Sequence, residues 1–178
     1  GTYKGYAADI HASGNHLLKL IDEILDLSRI EAGRYELSEK PVDLAAVAAE
    51  SIRVLRLDAK ARGVRILTDF KPMPHVRADE RAMRQVCINL LANAIKFTPE
   101  LGIIVVRTAI LPSGEAALTV RDNGPGIPQN EIPQVLRAFG QGSLALKMKT
   151  KGTGLGLPIV AGLAELHGGR FELRSKAK

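Results

Sequence analysis

The sequence predicts an α+β fold, in which one long amphipathic helix precedes a domain that combines helices with a mixed or antiparallel sheet. An apolar stripe of helical period runs through residues 4–32 without a break. After it, helical and strand-like segments follow one another without the regular alternation that a doubly wound fold requires. Two strand-like segments, 103–110 and 116–120, flank a Pro-Ser-Gly-Glu turn at 112–115, as in an antiparallel pair.

The first helix carries Ile10, Leu17 and Ile24 at seven-residue spacing, and Leu18 widens this stripe. So broad an apolar face packs either on the helix's own domain or against a partner helix in a bundle. We favour the second interpretation, half of a helical hairpin, because the stripe ends near Gly33, well before the next periodic segment.

The elements that follow are marked by capping residues. Residues 34–42 form a short polar connector with room for one brief strand. Asp43 is a good N-cap for a helix that reaches about Arg62, and Gly63 provides its C-terminal stop. A strand is expected at 64–70, before a Lys-Pro-Met-Pro sequence.

The second half of the chain continues this mixture of helices and strands. A third helix is expected to end before Pro99, because the residue preceding a proline disfavours helical backbone. The expected elements are a helix from Asp79 to about Lys96, strands at 103–110 and 116–120, a short helix at 128–137, a loop at 140–153, a helix at 155–166 and a last strand at Arg170–Arg174.

Composition narrows the class of protein. Of 178 residues, 46% are hydrophobic and 25% charged, which is ordinary for a globular domain, and no apolar run is long enough for a membrane span. A single cysteine makes no internal disulfide, and no Cys/His cluster has zinc spacing, so a reducing cytoplasmic setting is the default expectation. The net charge of +6 is dispersed and aromatic residues are only 4%, which disfavours nucleic-acid binding.

The third helix carries an unusual polar ridge. Gln85, Asn89, Asn93 and Lys96 fall within an arc of about 80°, and most of the remaining surface is apolar. Asparagine is a poor helix former, so two of them on one ridge indicate a binding role rather than a solvated face. Amide oxygens can ligate Mg²⁺, and an ammonium group pairs with phosphate oxygens.

Two glycine-rich segments follow. In the first, Asp122 ends a strand and precedes Asn-Gly-Pro-Gly, where glycines permit a close approach of backbone to a flat ligand. In the second, three alternating glycines at 152–156 open a helix, which suits phosphate binding at a helix N-terminus. A basic loop rather than an apolar strand precedes them, which excludes a dinucleotide fold, and the chain has no P-loop or serine/threonine-kinase signature.

In this order, the three segments resemble the N box and two glycine boxes of the histidine-kinase catalytic domain, which shares an ATPase superfamily with DNA gyrase, mismatch-repair and chaperone ATPases. Residues 17–33 resemble the second helix of the dimerisation hairpin, and Phe139-Gly140-Gln141 resembles the F box that opens the ATP lid. The resemblance covers essentially the whole chain. It implies a partial dimerisation helix at 1–33 and an ATP-binding domain at 34–178, a two-layer α/β sandwich with a mixed sheet under three helices.

The resemblance also implies roles for individual residues. Asn93 would be the principal Mg²⁺ ligand with Asn89 beside it, and Asn89 and Lys96 would act on the phosphates. Asp122 would accept the adenine amine. The other residues that the resemblance places around ATP are Phe97, Gly124, Gly126, Phe139, Gly152, Thr153, Gly154, Leu155 and Gly156, with Lys147 and Lys151 of the lid at 140–151 as further phosphate contacts.

The implied reaction is transfer of the ATP γ-phosphate to a histidine, for relay to a response-regulator aspartate. The parent protein would be a homodimer, without nucleic-acid partners and with membrane contact only through segments outside this chain. The family's helix that carries the acceptor histidine is not in the sequence, and neither are the strand and the third glycine box with which the family's domain usually ends. We therefore expect a truncated fragment with an exposed sheet edge. The four histidines, His11, His16, His75 and His167, have structural or surface roles in this interpretation, and Ala138 stands where the family often has proline.

Two other functions remain open. The chain could be a nucleotide-sensing pseudokinase that sets the conformation of a partner, although intact metal-binding and phosphate-binding residues favour the enzyme. It could also be an ATPase of the gyrase or chaperone type. Those ATPases carry a glutamate general base where Asn89 stands, so Asn89 argues against efficient water activation.

Overall fold

The computed structural model describes residues 1–148 and 152–177, and its architecture is the predicted α+β fold. In chain order the elements are α1 (Thr2–Glu31), β1 (Glu39–Val42), α2 (Leu44–Ala61), β2 (Arg65–Phe70), β3 (Val76–Asp79), α3 (Glu80–Phe97), β4 (Ile103–Ile110), β5 (Ala116–Asp122), a 3-10 turn (Gln129–Glu131), α4 (Ile132–Val135), α5 (Ser143–Lys147) and α6 (Gly156–Leu166).

The long helix α1 uses two different faces. Leu20, Leu27 and Ile30 pack against the buried cluster around α6, so the interpretation that the helix packs on its own domain is correct for this face. The face predicted to meet a partner helix is exposed, at Leu17, Leu18, Ile21, Ile24 and Leu25. Throughout the described residues, α1 included, no helix is both long and apolar enough to cross a membrane.

The cap predicted for α2 is confirmed, and α3, predicted to start at Asp79, is capped by that residue. The Asp43 carboxylate accepts a hydrogen bond from the backbone N–H of Ala45 at 2.9 Å, and Asp79 accepts one from Ala82 at 3.0 Å. Gly63 follows α2 with φ +64°, the left-handed backbone that glycine adopts without strain. These local signals determine where both helices start and where α2 ends.

The strands form a three-stranded sheet in the order β2-β4-β5 and a separate two-stranded sheet of β1 and β3. β2 and β4 are parallel and β4 and β5 antiparallel, so the larger sheet is mixed, as predicted. The sequence did not predict β3, because its four residues form a strand only through antiparallel pairing with β1. The brief strand expected in the connector is confirmed as β1.

Two apolar clusters place α3 at the centre of the domain. Leu91 of α3 packs with Ile104 and Val106 of β4 in the larger cluster, and all three are at most 1% exposed. Ala82 and Val86, on another face of α3, pack with the buried residues of α6 in the smaller cluster. The polar ridge of α3 therefore lies on a helix whose other faces are buried.

Two predictions for the second half of the chain are wrong. Arg170–Arg174 forms no strand in the described residues. The segment contacts residues on either side of β5 instead: Arg170 pairs with Glu115 at 2.7 Å, and the Ser175 hydroxyl accepts from the Ile127 N–H at 2.7 Å. The expected loop at 140–153 contains α5, whose Leu-Ala-Leu-Lys sequence has high helix propensity.

Candidate functional site

The polar ridge on α3 consists of Gln85, Asn89, Asn93 and Lys96, all half-buried. The Asn89 amide donates to the carbonyl oxygen of Gly156, the first residue of α6, at 3.3 Å. The Asn93 side chain has no hydrogen-bond partner within residues 1–148 and 152–177. Asn89 thus ties the two helices together, whereas the Asn93 amide makes no hydrogen bond within the described residues.

Lys96 ends the ridge next to the second glycine segment. Its ammonium nitrogen lies 5.0 Å from the centroid of the Phe97 ring. A side chain at Gly152 would collide with that nitrogen, so the backbone of the glycine segment passes directly over the ammonium group. Burial lowers the pKa of Lys96, and the positive charge of Lys19 on α1 lowers it further.

Asp122 ends β5 in a tight turn. Its Oδ1 accepts a hydrogen bond from the N–H of Gly124 at 2.8 Å. A methyl group at Gly124 would lie 2.7 Å from the same oxygen and 3.0 Å from the Phe97 carbonyl oxygen, so this position accepts no side chain. Gly126 has φ +80° and is packed against the carbonyl of Lys176. The backbone on this side of the site is closely packed.

Phe139 and Gly154 close the base of the segment between them. The Phe139 N–H donates to the Gly154 carbonyl at 3.0 Å, and both residues have left-handed backbone, with φ +60° and +70°. The Phe139 ring is 60% exposed. A single backbone hydrogen bond thus joins the residues on either side of the predicted lid.

Comparison with known proteins identifies the family. The sequence pattern of the family described as "Histidine kinase-, DNA gyrase B-, and HSP90-like ATPase" matches residues 78–178, which include α3 and both glycine segments. The chain belongs to this family.

Two relatives and one solved structure define the type of ATPase. The "Non-motile and phage-resistance protein" of Caulobacter vibrioides is 42% identical over 176 residues, which cover 97% of this chain and 21% of the relative. The circadian input-output histidine kinase CikA of Synechococcus elongatus is 39% identical over 174 residues, which cover 96% of this chain and 23% of the relative. Full-length ShkA in complex with AMPPNP superposes with a TM-score of 0.81 at 31% identity, covering 94% of this chain and 35% of ShkA.

The chain therefore corresponds to the ATP-binding catalytic portion of a sensor histidine kinase, and it spans about a fifth of the length of these two relatives. Its long N-terminal helix, mixed sheet and packed helices match those of histidine-kinase ATPase domains.

Thr153, Leu155 and Lys147 were also predicted to contact ATP, and each has a different environment. Thr153 accepts from the Leu155 N–H at 3.3 Å, and the Leu155 side chain is fully buried in the core, so only its backbone can face a ligand. Lys147 is exposed next to Glu131: hydrogen bonds from Ser143 lower the pKa of the Glu131 carboxyl, and the Lys147 charge adds to this effect. The structure does not bring Lys147 to the ridge, and Lys151 lies outside the described residues.

The sequence did not predict that polar residues of α1 contact the ridge on α3. The Asp26 carboxylate accepts from the Gln85 amide at 3.2 Å, and Lys19 lies near Lys96. Lys19, Glu23 and Asp26 recur at helical spacing on one side of α1, a signal that the apolar stripe next to them obscured. α1 therefore borders the ridge along its length.

An open groove of about 460 Å³ separates α1 from α3, but it is not the predicted site. Charged residues such as Asp22, Arg29 and Arg81 line it, and its walls include Gln85 but not Asn89, Asn93 or Lys96. The ridge residues, with their amides and ammonium group, are chemically the better site for a metal–phosphate ligand.

The donor set of the ridge fits a magnesium nucleotide better than a resident metal. In the described ranges, no three His, Cys, Asp or Glu side chains are arranged to hold a metal ion. Mg²⁺ is commonly held by few protein oxygens together with substrate phosphates and water. A neutral amide pair and a lysine match this arrangement, because the phosphates would supply the negative charge.

Proposed function

We propose that this chain binds ATP with Mg²⁺ and transfers the γ-phosphate to a histidine, from which it passes to a response-regulator aspartate. The observation that carries this proposal is the juxtaposition of the α3 ridge with the second glycine segment. Asn89 bonds to Gly156, and Gly152 lies against the Lys96 ammonium. The side chains that we propose to bind the cation and the phosphates thus lie beside the second glycine segment, along the C-terminal half of α3.

Each group has a distinct role in the proposal. Asn93, which has no partner in the described part of the chain, ligates the cation, and Asn89 supports it. Lys96 holds phosphate oxygens, and its partial burial strengthens that attraction because less water screens the charge. Asp122 uses one oxygen to hold its turn, and its other oxygen accepts the adenine amine.

The chemistry requires positioning more than a strong base. Bound Mg²⁺ and ATP would supply a γ-phosphoryl group whose charge is partly neutralised. Neutral imidazole is already nucleophilic, so the attacking histidine needs no general base. Lys96 and the N–H groups at the start of α6 stabilise negative charge on the transferred group. The hydrogen bond between Phe139 and Gly154 fixes the residues that flank the predicted lid next to this site.

Asn89 distinguishes this reaction from ATP hydrolysis. An amide cannot accept a proton from water, so we expect hydrolysis far slower than in gyrase-type or chaperone-type ATPases. A rate comparable to theirs would contradict this assignment. A nucleotide-sensing pseudokinase remains the alternative. Nucleotide binding by the wild type that does not depend on Mg²⁺ would favour it.

We also propose that the acceptor histidine belongs to another segment of the parent protein. His167 uses both ring nitrogens in hydrogen bonds, whereas His11, His16 and His75 are exposed and lie outside any phospho-acceptor motif. The chain alone is thus expected not to autophosphorylate. The parent is expected to be a cytoplasmic or membrane-anchored homodimer that acts on a response regulator.

Calorimetric titration with a non-hydrolysable ATP analogue tests the nucleotide site directly. The wild type should bind with micromolar affinity, about −8 kcal/mol, when Mg²⁺ is present. Asp122→Ala should abolish binding, and Asn93→Ala should bind with an affinity that no longer depends on Mg²⁺. Asp58→Ala, at an exposed position on α2, is the matched control. A folded wild type that does not bind would overturn the proposal.

A further inference from the structure

Glu23 is the one buried residue of the 30-residue helix α1. It is 8% exposed, and its Oε1 lies 3.9 Å from the ammonium nitrogen of Lys19, the outer limit of an ion pair. Its Oε2 is buried and has no hydrogen-bond partner among the described residues. A buried carboxylate oxygen without a partner is unfavourable, which indicates a bound group that satisfies it in the functional state.

Helical geometry places Glu23 at the centre of the face that α1 turns toward the domain. At 100° per residue, Asp26 lies about 60° to one side of it and Leu27 about 40° to the other. Asp26 bonds to Gln85 of α3, and Leu27 packs in the cluster around α6. Glu23 therefore faces the seam between α3 and α6.

The contacts with α3 indicate which part of that seam it faces. α1 runs antiparallel to α3, because Asp26 bonds to Gln85 whereas Lys19 lies near Lys96. Asn89 is four residues after Gln85, so the corresponding level on α1 is four residues before Asp26, at residue 22.

The contacts with α6 lead to the same level. α6 is antiparallel to α3, since its C-terminal end bonds to the residue that caps α3, and it is therefore parallel to α1. A methyl group at Gly162 would lie 2.7 Å from Cγ2 of Ile30. Gly156 is six residues before Gly162, and six residues before Ile30 is residue 24. Both estimates converge on Glu23.

We propose that Glu23 supplies a carboxylate to the divalent-cation site of the ridge. Glu23 lies at the level on α1 where the Asn89 amide of α3 bonds to Gly156 of α6. The proposed binding site for the cation and the phosphates is at this level. Mg²⁺ prefers oxygen ligands, and a carboxylate adds the negative charge that the amides of Asn89 and Asn93 lack. The unpartnered Oε2 of Glu23 binds the cation directly or through one of its waters. This inference rests on the proposed function.

The cation then also links α1 to the catalytic domain. When no cation is bound, the buried Glu23 carboxylate weakens the contact between α1 and the α3–α6 seam. A bound cation satisfies this carboxylate. Cation binding and docking of α1 are coupled, and each strengthens the other.

The test compares three forms of the 178-residue chain by calorimetry with a non-hydrolysable ATP analogue, in Mg²⁺ and in EDTA. Glu23→Gln keeps the shape of the side chain and removes its charge, and Glu31→Gln makes the same change at an exposed position of α1. Glu23→Gln should reduce affinity in Mg²⁺ about tenfold and leave affinity in EDTA within about twofold of wild type. Glu31→Gln should match wild type in both conditions.

Thermal melting in EDTA provides the second readout. Glu23→Gln should melt no lower than wild type, because it removes a buried carboxylate whose Oε2 has no hydrogen-bond partner among the described residues and whose contact with Lys19 is long. A role confined to packing would change the melting temperature without changing the Mg²⁺ dependence. Equal or tighter binding of the magnesium nucleotide by folded Glu23→Gln would overturn the inference while leaving the proposed function intact. A wild type that binds no nucleotide would overturn both.

Discussion

The Nε2 atom of His167 accepts a hydrogen bond from the backbone N–H of Asp79 at 3.1 Å, and this bond joins the C-terminal end of α6 to the start of α3. The other ring nitrogen, Nδ1, lies 2.7 Å from the carbonyl oxygen of Leu163, to which it must donate. The ring is therefore neutral and carries its proton on Nδ1. Because α3 carries the ridge and α6 begins at Gly156 of the second glycine segment, His167 helps to set the relative position of the two segments.

Replacement of His167 is expected to destabilise the domain. His167→Ala leaves the Asp79 N–H and the Leu163 carbonyl without these partners, and we expect a loss of about 1–3 kcal/mol in the free energy of unfolding. His75→Ala, at an exposed turn, should stay within about 0.5 kcal/mol of wild type. Chemical denaturation measures both variants, and equal stabilities for the two would show that the His167 bonds contribute nothing.

The carboxyl of Asp79 is expected to make stability depend on pH. Burial opposes its ionisation, but hydrogen bonds from the backbone N–H groups of Ser38, Ala82 and Arg81 outweigh burial and lower its pKa below the ordinary 3.8. A lowered pKa in the folded state means that ionised Asp79 stabilises the fold fully above the unfolded-state value. That contribution is lost as pH falls through the folded-state pKa.

Asp79→Asn isolates this contribution, because asparagine also caps helices but does not ionise. Its unfolding free energy should lie below that of wild type by a constant amount above about pH 5, and the difference should shrink as the solution is acidified. Denaturation curves between pH 3 and 7 measure it, with exposed Asp9→Asn as the control. If the difference between wild type and Asp79→Asn does not change with pH, the attribution to Asp79 is wrong.

The parts of the fold that depend on local signals could be predicted from sequence. Asp43 and Asp79 cap α2 and α3 within their own first turns, and Gly63 ends α2 through its own backbone preference. Elements that form only by pairing with a residue range distant in sequence could not be predicted from the sequence. β3 exists because β1 pairs with it, whereas the predicted strand at 170–174 pairs with no strand of the described residues and is held by contacts such as that of Arg170 with Glu115.

The candidate site divides in the same way. The spacing of Asn89, Asn93 and Lys96 is a property of one helix, so the ridge was evident in the sequence. The bond between Gln85 and Asp26 joins residues 59 positions apart, and the burial of Glu23 follows only from the docking of α1. Contacts between elements distant in sequence require the structure.

Gly140 and Gly152, on either side of the predicted lid, should respond differently to substitution by alanine. A methyl group at Gly152 meets only the mobile end of Lys96, so Gly152→Ala should change stability by less than about 0.5 kcal/mol. It should displace the ammonium group and weaken nucleotide binding roughly tenfold, or about 1.4 kcal/mol.

Gly140 provides the contrast, because a methyl group there would collide with the backbone carbonyl of Gln134, which cannot rotate away. Gly140→Ala should therefore lower the free energy of unfolding by about 1–3 kcal/mol. Denaturation and calorimetry on both variants separate the two effects. Unchanged nucleotide affinity in Gly152→Ala would remove Lys96 from the phosphate site.

The exposed apolar face of α1 is expected to drive weak self-association. Leu17, Ile21 and Ile24 are 56%, 43% and 41% exposed on one side of the helix, and pairing with a second copy would remove this surface from water. Ile21→Glu places a charge in the centre of that contact, so it should yield a monomer. Val54→Glu makes the same change at an equally apolar residue of α2, which is 59% exposed, and should dimerise like wild type. Light scattering over a range of protein concentrations distinguishes these outcomes, and a wild type that stays monomeric at the highest concentration would contradict a dimerisation role for this face.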